Sequence, residues 1–265
     1  MGTVLGSYFE RLDDHTFRPT VHAGGAWNPG ELHFSPLAGL IVHEIERFAA
    51  GRAGPPLLLS RISFDILGFL ADDVCQVRVE TIRPGKTIEL VEATLSIGGR
   101  SVTRARAWLL APIDTGAVAG GGAEPLPSPE SLPSRDMAAE WMGGYIASID
   151  VRMVSAPHPG RGTAWIRSDH PLVAGENAGP VASFVRLTDT ANGIATRVRP
   201  TDWIFPNVDL TIHLHRQPTG EWVGLDTTVV FGPTGQGITS TVLHDVGGPI
   251  GHAQQQLTVR PLPSG

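Results

Sequence analysis

Apolar and polar residues alternate along 75–81, with Cys75, Val77, Val79 and Thr81 set against Gln76, Arg78 and Glu80. That period of two predicts a half-buried strand. Arg83-Pro84-Gly85-Lys86 follows as a turn, then KTIELVEATLSI, the pair Gly98-Gly99, and SVTRARAWLLA. These segments read as three antiparallel strands in a meander. Further along, EWVGLDTTVVF, GPTG, QGITSTVLHDV, Gly247-Gly248 and PIGHAQQQLTV repeat the same order. The segments 57–67 and 206–216 are also matching extended runs. A second period appears over His33–Ala50, where Leu37, Leu40, Ile41, Ile45 and Phe48 fall three and four residues apart, as on one face of a helix. Val181–Val198 is the corresponding helical stretch of the other half. One helix followed by a long meander, twice over, predicts two tandem α+β units.

Aligning the two Gly-Gly pairs gives a repeat offset of 149, which sets Arg106 opposite Gln255, Trp108 opposite Leu257 and Leu40 opposite Asp189. Between the halves, Pro112–Arg135 is dominated by Gly, Pro and Ser and loses apolar periodicity, so it reads as a linker. The expected organisation is an N-terminal unit over 1–111, the linker over 112–135 and a C-terminal unit over 136–265.

Composition narrows the function classes. The chain has 265 residues with 41% hydrophobic and 17% charged, enough to bury a sizeable core. Its net charge of −6 and the absence of a long basic run argue against nucleic acid. The single Cys75 excludes an internal disulfide and any multi-cysteine metal site. No stretch approaches the length of a membrane span and no apolar leader region is visible, so a cytoplasmic protein without membrane contact is expected. No GxSxG elbow, GxGxxG or P-loop occurs, which argues against a serine-hydrolase nucleophile and nucleotide cofactors.

A helix wrapped by a curled antiparallel sheet, duplicated in one chain, resembles the tandem double hotdog. In the second half, AWIRSDHPLVAGENAGPVASFVRLTDTANG, NVDLTIHLHR and HAQQQLTVRP resemble the three signature regions of the type II (TesB-like) acyl-CoA thioesterases. The resemblance covers nearly all of the second half and, by pattern, the first. It implies hydrolysis of fatty acyl-CoA to free fatty acid and CoA without a cofactor or metal, in a homodimer or larger homo-oligomer, with an acyl tunnel between helix and sheet.

Three residues carry the expected site. Asp189 shares a helix face with Val185, Gly193 and, just beyond, Ala182, so its carboxylate faces apolar and small residues. A buried carboxylate needs a dedicated partner or a role, unless the helix is rotated and the side chain is solvated. The resemblance places the catalytic Asp at this position. Asn207 stands where the family usually has a small hydroxyl residue; after Pro206 it is also a plain turn residue, and Asp209 is the fallback. Gln255, between Gln254 and Gln256, faces opposite to both by strand alternation. The implied chemistry has Asp189 take a proton from a water held by Asn207 and Gln255, with backbone N–H groups near a helix start steadying the oxyanion. Direct attack by Asp189 to form an anhydride is the variant.

Other candidates are weaker. His213 and His215 point the same way along a strand, which more often marks a solvated face than a metal site. His43-Glu44 on the first helix rival Asp189. Cys75 reads as a small buried hydrophobe. Arg104, Arg106 and Arg197 are possible contacts to CoA phosphates, with nothing to choose among them. Two further readings stay open: a hotdog hydratase or dehydratase, of which Asp169-His170-Pro171 is a partial echo, and a non-catalytic acyl-CoA- or lipid-binding protein.

Overall fold

The structure is a computed structural model that describes residues 6–25 and 27–262. The outermost residues of the two expected units, 1–5 and 263–265, lie outside the described residues. Fourteen strands are described: β1 Phe9–Arg11, β2 Thr16–Pro19, β3 Leu58–Ile66, β4 Cys75–Arg83, β5 Ile88–Ile97, β6 Arg100–Leu110, β7 Asp150–Met153, β8 Arg161–Arg167, β9 Trp203–Ile204, β10 Asp209–Leu214, β11 Val223–Phe231, β12 Gln236–Asp245, β13 Gly248–Thr258 and β14 Arg260–Pro261. Four helices accompany them: α1 Phe34–Ala50, α2 Gly144–Ala147, α3 Pro180–Thr188 and α4 Ala191–Ile194.

Twelve of the strands form one sheet in the order β1-β2-β4-β5-β6-β3-β10-β13-β12-β11-β8-β7. Its second six strands mirror its first six, and the halves join through the antiparallel pair β3·β10. β4 keeps the predicted alternation at its start, with Cys75 and Val77 buried and Gln76 and Arg78 exposed. The two long helices lie together. A Cβ added at Gly39 of α1 would overlap Arg186 Cβ of α3, so only glycine permits this close crossing. Leu37, Leu40, Ile41 and Ile45 of α1 are fully buried. A duplicated helix wrapped by one curled antiparallel sheet is the double hotdog expected above.

The repeat offset needs correction. Adding 148 to each residue number turns Val77↔Leu95 into Leu225↔Leu243, Ala93↔Ala105 into Thr241↔Ala253, and Phe64↔Ala105 into Ile212↔Ala253, all of which are ladder pairs. The two Gly-Gly pairs are therefore not equivalent. In the first turn Gly98 and Gly99 both have positive φ, as a two-residue turn of the primed kind requires. In the second, Val246 and Gly247 form the turn and the positive φ falls on Gly248, already paired with Asp245 in the ladder. Gln255 thus corresponds to the buried Ala107, not to the exposed Arg106.

The second helix is also shorter than Val181–Val198. It starts at Pro180, whose fixed φ suits a first helical position, and breaks at Asp189-Thr190 before the single turn of α4. Asp189, Thr190, Asn192 and Gly193 are all weak helix formers, which favours the break. The segment 112–135 is not a free tether. Trp165 Nε1 donates to Pro127 O at 2.7 Å, and Arg135 N donates to Val151 O.

Candidate active site

Asp189 closes α3 as its C-cap residue, and the break turns its carboxylate toward the end of the sheet where Asn207 precedes β10 and Gln255 lies in β13. All three predicted residues come together. Asn207 Nδ2 donates to Asp189 Oδ1 at 2.8 Å, and Gln255 Nε2 donates to the same oxygen at 2.7 Å. A carboxylate can only accept here, which fixes the orientation of both amides. Asn207 Nδ2 also donates to Asp209 O at 3.0 Å. Gln255 is 1% exposed, whereas Gln254 and Gln256 are exposed, so the strand alternation places it inward.

This geometry gives the amides a task besides the one anticipated. Their N–H groups bind the carboxylate itself and hold it in one rotamer, leaving Asp189 Oδ2 free of protein donors within hydrogen-bond range among the described residues. Asp189 is 7% exposed, and burial pushes its carboxyl up to about 6 against the lowering effect of the two amides. That value suits a base working near neutral pH.

The cavity at Asp189 measures about 40 Å³ and is lined also by Trp27, His33, Met137, Trp141, Asn192 and Gly193. It has room for roughly three waters. No Leu, Ile or Phe of the two long helices lines this cavity; Leu37, Leu40, Ile41 and Ile45 of α1 are buried in the layer between helix and sheet.

Several residues here had not been singled out. His33 is the N-cap of α1, its Nδ1 accepting from Ser35 N at 3.1 Å, which puts the ring proton on Nε2. Burial pushes its pKa down to about 3, so it is neutral, and its Nδ1 lies 3.9 Å from Asp189 Oδ2 with no proton to share. Tyr145 of α2 stacks on His33 at 4.1 Å and meets Thr190 Oγ1 through its hydroxyl at 2.5 Å. In the sequence His33 was legible only as the first residue of the apolar helical stretch, since histidine is not a preferred cap. For Trp141 and Asn192 there was no signal.

The rivals are occupied elsewhere. His43 Nε2 meets Glu176 at 2.9 Å, and Glu44 accepts from Arg11 at 2.6 Å and Arg47 at 3.1 Å. Asp209 Oδ1 accepts from Gln256 N at 2.6 Å. Burial pushes the Cys75 thiol up to about 12, so it is no nucleophile. His213 is exposed on β10, and among the described residues no group of three His, Cys, Asp or Glu could hold a metal ion. The start of α3 is not free to steady an oxyanion at Asp189. Val181 N and Ala182 N at the head of α3 both donate to the Glu46 carboxylate at 3.3 Å, a helix length from Asp189.

The site is thus one buried carboxylate, held by two amides beside a small, partly open cavity in a duplicated hotdog. The sequence descriptions of the acyl-CoA thioesterase N-terminal and C-terminal domains fit residues 23–110 and 129–259, so the chain belongs to the acyl-CoA thioesterase family, whose members are thioester hydrolases. No curated protein matches the sequence. Among solved structures, the acyl-CoA thioesterase II TesB2 from Mycobacterium marinum is similar at TM-score 0.67 and 17% identity, covering 96% of both chains. A hot dog fold protein from Alicyclobacillus acidocaldarius is similar at 0.70 and 13%, also over 96% of each. The CurK dehydratase is similar in fold alone, at TM-score 0.55 and 13% identity over 98% of both chains. These likenesses establish the fold; the site must argue for the reaction.

Proposed function

We propose that this chain hydrolyses fatty acyl-CoA to free fatty acid and CoA, with Asp189 as general base. The observation that carries the reading is a buried carboxylate held on one oxygen by two amides, with its other oxygen free beside a cavity with room for a few waters. A water bound at Asp189 Oδ2 gives its proton to the carboxylate as its oxygen attacks the thioester carbon. The carbonyl oxygen takes up the negative charge. Collapse of that intermediate breaks the carbon–sulfur bond, and the departing CoA thiolate takes the proton back from Asp189. Asn207 and Gln255 aim the carboxylate and keep it ionised above pH 6.

In this reading the chain is two hotdog units, 1–111 and 136–265, joined by 112–135, with catalysis in the second. A cytoplasmic homodimer or larger assembly completes it. The exposed, cross-strand neighbours Leu58, Leu110 and Ile88 support a covered face. Thiol release from acyl-CoA esters of increasing chain length, with native protein and Asp189→Asn, tests the function. Turnover of at least one ester that the substitution abolishes supports it, and no thiol release from any ester contradicts it.

A further inference from the structure

The cavity holds two polar atoms that the mechanism above does not use. Trp141 Nε1 and Asn192 Oδ1 are both buried and have no hydrogen-bond partner among the described residues, and both residues line the cavity with Asp189. Trp141 is 6% exposed and Asn192 7%. Buried donors and acceptors are nearly always paired because leaving one unpaired is costly, so two around one small cavity point to a ligand that completes them.

Their orientations are fixed by their surroundings. The Trp141 ring sits edge-on to Trp27 at 5.0 Å and 88°, and edge-on to Phe205 at 6.1 Å and 87°. Asn192 Nδ2 donates to Phe205 O at 2.9 Å, which leaves its carbonyl oxygen as the free end. An indole nitrogen only donates and this amide oxygen only accepts. The reaction proposed for Asp189 brings one acceptor, the thioester carbonyl oxygen, and one molecule with two donors, the attacking water. The inventories match: one O–H of the water goes to Asp189 Oδ2, the second to Asn192 Oδ1, and the carbonyl oxygen is left for the indole N–H.

We infer that the Trp141 indole N–H is the donor that receives the thioester carbonyl oxygen as it becomes an oxyanion, while Asn192 Oδ1 fixes the attacking water. This inference rests on the function proposed above. It supplies the donor that the start of α3, occupied by Glu46, does not. A donor clamped between two aromatic rings is already oriented before charge develops, which is when such a group contributes most.

The test compares native protein, Trp141→Phe and Gly193→Ala in thiol release, and follows the indole N–H resonance by nitrogen–proton correlation NMR. Trp141→Phe removes the N–H and keeps an aromatic ring; kcat is expected to fall about 10²- to 10³-fold with KM within about threefold. Gly193→Ala places a methyl 3.7 Å from Trp141 Nε1 while leaving the indole in place, and a loss of kcat is expected there too. In native protein, saturation with a ketone analogue in which CH₂ replaces the thioester sulfur should move one indole N–H signal, assigned by its absence from Trp141→Phe. If Trp141→Phe does not fold, Gly193→Ala and the resonance in native protein decide. An unmoved resonance, or kcat unchanged in folded Trp141→Phe while Asp189→Asn is inactive, overturns this inference alone. A native protein that releases no thiol from any ester overturns the function and this inference together.

Discussion

The two halves of the sheet are built on one frame and differ where chemistry is proposed. The offset of 148 leads from Asp189, Asn207 and Gln255 to Ile41, Leu59 and Ala107, all apolar and buried. Counted from the helix starts, the partner of Asp189 is His43, which is bonded to Glu176. Around it Arg11 bridges Glu44 and Glu176, and Arg11 with His43 holds the Glu176 carboxyl down at about 2. At the matching position the first half pairs its charges and fills its core, although burial pushes its Glu46 carboxyl, at the head of α3, up to about 7. The second keeps a carboxylate whose ionisation burial opposes. The difference teaches that the fold does not require a polar site at this position, so the Asp189 cluster is retained at a cost in stability.

The largest expected effect separates the halves directly. Asp189→Asn should lower kcat by about 10²- to 10⁴-fold in thiol release, whereas His43→Gln should leave it within about threefold. Next comes Gln255→Ala. It removes one of two donors to a charged acceptor, so the midpoint of the pH–rate profile should rise above 6 by about one to two pH units, with activity at pH 7 falling accordingly.

Stability should respond with opposite signs. Asp189 has a folded-state pKa above that of the unfolded chain, so its contribution is present below about pH 4 and lost as pH rises through 6. Thermal unfolding of Asp189→Asn should therefore show a midpoint a few degrees higher than native at pH 8, on the order of 1–3 kcal/mol, and no gain near pH 4. In the first half, Arg11→Met leaves the buried Glu44 with Arg47 alone and takes a cation from Glu176, so it should lower the midpoint at pH 8 by a similar amount. Smallest of all, Ile41→Val should cost about 0.5–1.5 kcal/mol in denaturant unfolding and leave turnover unchanged.

Local patterning made much of this legible. The alternation in β4 and β13, the apolar stripe of α1 and the inward face of Gln255 follow from side-chain periods that neighbouring residues impose. Asp189, Asn207 and Gln255 could be gathered from distant segments because the resemblance supplied their grouping. The offset slipped by one because two Gly-Gly pairs look alike in sequence, although the second turn needs its positive φ one residue later. Trp141 was hidden for another reason. It lies in an aperiodic stretch, and contacts with Trp27 and Phe205, far away in the chain, set its place. The cavity's small size was equally unreadable, since it depends on how completely the α1 side chains fill the layer beneath the helix.

The central claim is that one buried carboxylate, Asp189, is the base. The pH dependence of kcat/KM for thiol release by native protein tests it most directly. The account predicts a rise of slope one through about pH 6 to a plateau, absent from the residual activity of Asp189→Asn. A rate that is flat down to pH 4.5, or the same midpoint in Asp189→Asn, would contradict it.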